Sequence, residues 1–454
     1  MSEAENIASP RLPYLWLVLA VAALAALSNV AGDAILHRLA ALEDVPAAPV
    51  MAALVLFALC SFASFYATRG TPLPPFVVAI ALGMAGHTLF APIVANTTAL
   101  SALVTSSAAI ILFSGGLEMP LRDFMRLFAK IALLALPGVL ITGWLFSTAV
   151  LSLPAGMAIA IAPAVAIVLG AILASTDPAA IIPVLQDVKF KRRDIKDLVV
   201  AESALNDVAG TLLTTVFLKL SLVGLTVTGA YVALATPATG LFLAEQVGYG
   251  ALFGAGGFAA LWLLARMKRR MPLRSGADQV YFLSIPLVAF VGAAACGGSG
   301  FLAAFVAGLL FKIEEHMHEI ETFFYQVIDG VAKPAIFLLV GALVDVHALI
   351  AYAPLGIAVA LVFMFAIRPL MVFAMLGVFT LLPAERGLSL RELLFASFVR
   401  ETGAIPAVLL VTAVAQMTTP VKGLVEVGMW VILSTLLLAP PLTPFVARRL
   451  GVAE

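Results

Sequence analysis

The chain has 454 residues, of which 63% are hydrophobic and 11% charged, with a mean hydropathy of +1.11. Soluble domains carry roughly a quarter charged and about half apolar residues, so a soluble enzyme, a disordered chain and a collagen-like fibre are excluded. The 26 Lys and Arg balance 26 Asp and Glu, which leaves no basic face for nucleic acid and a polytopic membrane protein as the remaining class.

A helix needs about 20 apolar residues to cross the hydrocarbon core. In chain order, runs that can do so are 14–36, 49–67, 75–94, 98–116, 131–153, 156–185 and 197–220. They continue with 247–265, 280–295, 301–311, 328–344, 349–382, 393–414 and 424–445. This is an all-α pattern of about 13–14 transmembrane helices. The short alternating segments of a membrane β-barrel are missing. The N-terminus carries Glu3 and Glu5 without a basic region, and the run after it is too long for a signal peptide, so it reads as a mature span. Cys60 and Cys296 lie far apart in apolar runs and read as packing residues.

Residues 223–243 are apolar but interrupted by Thr226, Thr228, Thr236, Pro237 and Thr239. Basic clusters stand at 122–130, 189–196, 266–274, 386–391 and 448–449. They share the cytoplasmic face if 223–243 does not cross, so this segment reads as a helix extension plus an outer-face loop, with both termini cytoplasmic. No stretch is long enough for a separate soluble domain.

A charge at the bilayer centre costs at least about 2.5–3.5 kcal/mol, so each one there needs a partner or a function. Asp177, Glu202, Asp207, Arg368, Arg400 and Glu401 fall in mid-span, with Asp329, Lys333 and Glu426 nearer the span ends. The mid-span charges must face a wet cavity or one another.

Residues 174–178 read Ala-Ser-Thr-Asp-Pro. Pro178 lacks an amide proton and breaks or kinks its helix. Irregular backbone at membrane depth survives where it is protein-buried or lines a cavity, and broken helices use their carbonyls to hold cations. Two readings fit: a cation site at Thr176 and Asp177, or a structural kink capped by Asp177. In the next run, Glu202, Asn206, Ser203 and Asp207 fall near ~0°, ~40°, ~100° and ~140° around a helix, so they share one face. Their oxygens suit a hard cation rather than zinc or copper, and an interhelical hydrogen-bond network is the structural alternative. Arg368, followed by Pro369, cannot deprotonate and needs a carboxylate, Glu202 or Asp207. Residues 400–406 read Arg-Glu-Thr-Gly-Ala-Ile-Pro, and Gly403 and Pro406 interrupt that span. A broken span followed by one further helix thus occurs twice, in opposite directions, as in inverted-repeat transporters.

This ordered set resembles the monovalent cation/proton antiporters, and within them the bacterial and archaeal sodium/proton exchangers related to animal sodium/hydrogen exchangers. The residues that carry the resemblance are Thr176-Asp177-Pro178, Glu202-Ser203-x-x-Asn206-Asp207, Arg368, Arg400 and the glycine motif Phe113-Ser114-Gly115-Gly116-Leu117-Glu118. The likeness runs from residue 49 to the end. It implies inverted repeats with two crossing broken helices, a core domain, a dimerisation domain and an elevator-like movement in a homodimer. Within a single membrane domain, 1–47 would be an N-terminal segment with an extra helix at the dimer interface and 48–220 the first repeat. Residues 221–246 would form the outer-face connection, 247–447 the second repeat and 448–454 a cytoplasmic tail. Asp207 would bind cation and proton in turn, with Asp177, Ser203 and the Thr176 carbonyl as further ligands. Glu202 would pair with Arg368, Asn206 would tie the helices, and Arg400 would stabilise the crossing. Many relatives read Gly-Leu-Arg-Gly-Ala in the second broken span, whereas Glu401 and Thr402 follow Arg400 here; the added carboxylate is expected to bear on Arg400.

Desolvation raises a carboxylate's pKa and a bound cation lowers it, so a proton and an alkali ion compete for one site. The expected function is exchange of a monovalent cation, Na+ first and Li+ or K+ as alternatives, for H+ across the cell membrane. It calls for no enzyme chemistry and no cofactor beyond the transported ions. Asn206 stands where electrogenic relatives carry a second carboxylate, which points to electroneutral 1:1 exchange. The alternative is a K+/H+ antiporter or a channel-like K+ efflux protein; relatives of the latter kind carry a Gln-Asp pair here. The loop 312–319, with His316 and His318, reads either as a pH-sensing loop or as a solvated charge run.

Overall fold

The computed structural model describes residues 11–42, 44–68, 74–154, 159–176, 185, 188–220, 222–270, 276–314, 317–383, 387–417 and 422–453. Two helices, α1 (Arg11–Ala40) and α2 (Ala48–Ala67), lead into a bent pair, α3 (Pro75–Ala85) and α4 (His87–Val94), which meet at 91°. Asn96 then caps α5 (Thr97–Leu117), its side chain accepting from Ala99 N at 3.0 Å. The first half continues through α6 (Leu121–Ala135) and α7 (Pro137–Ser152), which form one long span, to α8 (Pro163–Leu173) and α9 (Arg193–Lys219). Next come short α10 (Val227–Ala233), then α11 (Pro237–Arg270), α12 (Gly276–Ala295) and α13 (Gly300–Leu310).

Helices α14 (His318–Val327) and α15 (Lys333–Leu343) join through a π-helical turn at Ile328–Ala332. A second such turn, Phe363–Ile367, joins α16 (Val346–Val362) to α17 (Arg368–Leu376). The two turns directly precede Lys333-Pro334 and Arg368-Pro369. A proline ring collides with the carbonyl four residues back, and one extra residue in the turn relieves that clash without ending the helix. A Ser389/Glu392 capping box starts α18 (Leu390–Phe398), and α19 (Ala404–Gln416) and α20 (Leu424–Arg449) close the chain.

Among the described residues, nine helices are long and apolar enough to cross a membrane, or ten with α3 and α4 taken as one bent span. The fourteen apolar runs of the sequence all hold helix, but besides the bent α3–α4 pair four more are not single, uniformly apolar spans. Helices α8 and α13 have 11 residues each, so they reach roughly 16 Å, about half of the hydrocarbon thickness. The thirteenth run is divided between α18 and α19, and α9 carries a polar face.

Three local expectations change. Segment 223–243 holds the expected helix extension, since α11 begins at Pro237 rather than 247, but in place of a plain loop it adds the 7-residue α10. Cys296 is exposed just beyond α12, so Cys60 alone is a packing cysteine. Pro406 does not break its span; it sits in the first turn of α19, where a missing N–H costs nothing, and the unwound residues are those before it.

Two helix crossings are close because glycine faces backbone. A Cβ on Gly83 would overlap Leu338 O, and one on Gly341 would overlap Ile80 O, so α3 and α15 touch main chain to main chain. Gly116 and Gly308 do the same for α5 and α13. The two crossings are of one kind, with a glycine of each helix against the main chain of the other.

The ends bearing the basic clusters 122–130, 189–196, 386–391 and 448–449 meet on one face. Arg126 pairs with Asp194 at 3.1 Å, and Arg192 with Glu392 at 3.3 Å. Phe190 bridges Ala453, and Lys191 N donates to Val452 O at 3.0 Å.

Candidate functional site

Helix α8 stops at Leu173 and residues 175–176 are unwound, which leaves its last carbonyls without helical partners. Arg400 fills that role. From the unwound segment 399–403 its Nη2 donates to Leu173 O at 3.2 Å and Ala174 O at 2.6 Å, while the guanidinium lies 4.4 Å from the centre of the Phe363 ring. A cation at a helix C-terminus also opposes the macrodipole. The second break thereby caps the first.

Thr176, two residues past Ala174, is held by α9. Its N–H donates to Asn206 Oδ1 at 3.0 Å, its carbonyl accepts from Ser203 Oγ at 2.7 Å, and its hydroxyl accepts from Asn206 Nδ2 at 2.6 Å. The other donor of the Asn206 amide reaches Glu202 Oε1 at 2.8 Å. Gly210 permits this approach, since a Cβ there would lie 2.7 Å from Ser175 Cβ.

Glu202 also receives Arg368 in a two-pronged pair, Nη1 to Oε1 at 2.9 Å and Nη2 to Oε2 at 2.8 Å, with side chains 1% and 2% exposed. Arg368 Nη2 lies 3.4 Å from Ala396 O, at the end of α18. Glu202 is thus the partner of Arg368, Asn206 and Ser203 hold Thr176, and Asp207 stands one turn beyond Ser203 on α9.

Asp207 is 2% exposed. A cavity of about 160 Å³ opens on the basic face between the end of α5 and the start of α9, lined by Glu118, Asp123, Asp197 and Val200 among others. Val200, Ser203 and Asp207 recur at 3- and 4-residue intervals, so that cavity lies on the helix face leading to Asp207.

Of the residues singled out in the sequence, Thr176, Glu202, Ser203, Asn206, Asp207, Arg368 and Arg400 are buried where α8, α9, α17 and the second break meet. Glu401 is buried beside them in the second break. Asp177, Pro178 and His316 lie outside the described residues, while His318 is exposed, 3.4 Å from Glu321. The sequence reading missed Phe363 beneath Arg400 and a threonine pair, Thr402–Thr435. Both partners come from other helices at no telling spacing.

The family profile described as "Sodium/hydrogen exchanger, transmembrane" matches residues 53–449. The chain belongs to the sodium/hydrogen exchanger family. Among curated relatives of this exchanger-family chain, the K(+)/H(+) antiporter NhaP of Alkalimonas amylolytica is 30% identical over 362 residues, 78% of this chain and 58% of that protein. The K(+)/H(+) antiporter NhaP2 of Shewanella oneidensis is 29% identical over 317 residues, 67% of this chain and 49% of that protein. The exchanger chain therefore spans about half the length of the curated relatives it matches. The solved sodium proton antiporter MjNhaP1 of Methanocaldococcus jannaschii superposes with a TM-score of 0.64 at 21% identity, over 89% of this chain and 100% of that one. The exchanger chain thus shares the antiporter fold.

Proposed function

We propose that this protein is a secondary transporter that exchanges a monovalent cation for H+ at Asp207. The observation that carries the reading is the bond from Ser203 to the unwound backbone at Thr176, with Asp207 buried one turn further along α9 inside an apolar bundle. Carboxylate, hydroxyl and carbonyl oxygens together make a hard donor set that suits an alkali ion. Thr176 O has a second lone pair beyond the one Ser203 uses, and Asp177 follows it in the chain. A proton on Asp207 removes the charge that attracts the cation, so the two occupants exclude each other. Glu202 stays charged against Arg368 and takes no part in the exchange, which supports 1:1 electroneutral stoichiometry.

Potassium is the first cation to test. Six curated relatives carry the name K(+)/H(+) antiporter, and their similarity covers two thirds or more of this chain. Sodium is the second, on the resemblance of the motif set to the sodium/proton exchangers. The basic-cluster face is assigned to the cytoplasm, with both termini there. Residues 48–220 and 247–447 form the two inverted repeats joined by 221–246, and the lipid-facing outer helices supply a homodimer interface to which 1–47 contributes. An elevator-like movement of a core domain against a dimerisation domain gives alternating access.

The test is proton flux in proteoliposomes challenged with K+, Na+ and Li+ in turn, with membrane potential clamped. Coupled, saturable flux with at least one of them is expected. An uncoupled downhill cation leak would instead mark a channel, and current proportional to flux would overturn the 1:1 stoichiometry.

A further inference from the structure

Thr402 and Thr435 are both fully buried, one in the unwound segment between α18 and α19, the other in the middle of α20. Thr402 N donates to Thr435 Oγ1 at 3.1 Å, the two hydroxyl oxygens are 2.6 Å apart, and Thr435 Oγ1 donates to Ile432 O at 3.0 Å. A hydroxyl offers one donor and two acceptor lone pairs. The geometry therefore has one consistent assignment: Thr435 accepts from the Thr402 amide and hydroxyl and passes its own proton to Ile432.

The same relation exists in the other half of the chain. There the helix after the break, α9, grips Thr176 through Asn206 and Ser203. In each half a threonine of the unwound segment is fastened to a later helix, Thr176 to α9 and Thr402 to α20. The second fastening connects to Thr176 and Ser203 through the chain and a set of contacts. Thr402 lies two positions after Arg400, whose guanidinium holds Leu173 O and Ala174 O at the end of α8. Two residues beyond Ala174 is Thr176, whose carbonyl faces Ser203.

We infer that Thr435 is a positioning residue for cation binding: it anchors the second break, so that Arg400 holds the end of α8 and the Thr176 carbonyl stays within reach of Ser203. This rests on the exchange reading above. Losing the Thr435 hydroxyl strands the amide and hydroxyl of Thr402 in an apolar interior, and the backbone around Arg400 must shift to satisfy them.

The test uses the full chain with Thr435→Val, which keeps shape and removes the hydroxyl, and Thr435→Ser, which restores it. Cation affinity is read in two ways: as KM in proton-flux assays, and as the concentration of K+ or Na+ that half-maximally raises the unfolding temperature in detergent. Thr435→Val is expected to weaken both by about 3- to 10-fold and to shift the pH profile of flux, with Thr435→Ser close to the parent. A merely structural tie would lower the unfolding temperature and the amount of active protein while leaving KM and the pH profile in place, and that result overturns the inference. Should Thr435→Val not fold, Thr402→Val removes the hydroxyl and keeps the amide bond, and carries the same measurement. If the parent shows no coupled flux yet binds the cation, the exchange reading fails and the binding arm still decides the role of Thr435.

Discussion

Glu202 and Arg368, 166 residues apart in the chain, close on each other through two parallel hydrogen bonds at the buried meeting of α9 and α17. The pair joins the two halves of the protein where water is excluded. Removing one partner leaves the other charge buried and bare, which costs about 3–5 kcal/mol. Glu202→Gln and Arg368→Met are each expected to lower the unfolding temperature sharply, and the double variant is expected to recover much of the loss. Thermal unfolding of the three purified variants measures this; a double variant as unstable as the sum of the singles would deny the coupling.

Asp207→Asn keeps size and hydrogen bonding but cannot take up a proton or carry a negative charge. Coupled flux is expected to vanish in that variant while the folded yield and unfolding temperature stay near those of the parent. Undiminished exchange would remove Asp207 from the mechanism.

Competition for one carboxylate has a definite sign. Acid fills the site with protons, so the apparent KM for the cation rises as pH falls, by about tenfold per unit once below the titration of the site, while the maximal rate at saturating cation is retained. Initial rates across a matrix of pH and cation concentration read this directly. Acid inhibition that no amount of cation reverses would point to a separate proton site.

Arg400 uses a planar guanidinium to reach two carbonyls and lie over Phe363. A lysine supplies the charge but not the flat fork. Arg400→Lys is therefore expected to weaken cation affinity and lower stability by about 1–3 kcal/mol, as judged by flux and thermal unfolding together. A variant indistinguishable from the parent would reduce the role of Arg400 to charge alone.

The crossing of α5 and α13 has no room for a methyl group at Gly308, since a Cβ there would overlap Phe113 O. Gly308→Ala is expected to cost about 1–3 kcal/mol by forcing the backbones apart. Gly256→Ala on α11, where a Cβ meets nothing within 4 Å, is the matched control and is expected to be neutral or slightly stabilising. Equal unfolding temperatures for the two variants would show that the crossing yields.

Membrane class, the apolar runs and the two broken spans were legible in the sequence, because hydrocarbon tolerates apolar helices and penalises each bare charge. The same penalty singled out Glu202, Asp207, Arg368 and Arg400, and the helical period put Ser203 and Asn206 on the face of Asp207. What one sequence left open was partnership: Arg368 had two candidate carboxylates, and the side-chain geometry of α9 and α17 chose Glu202. Thr435 gave no signal at all, being one hydroxyl in an apolar helix, and its bond to Thr402 exists because α20 packs against the second break. The extent of the spans also belonged to the tertiary level, since π-helical turns and glycine contacts depend on what lies alongside. Solvent preference is a property of each residue and can be read along the chain, whereas hydrogen-bond geometry is a property of pairs and is settled when the helices meet.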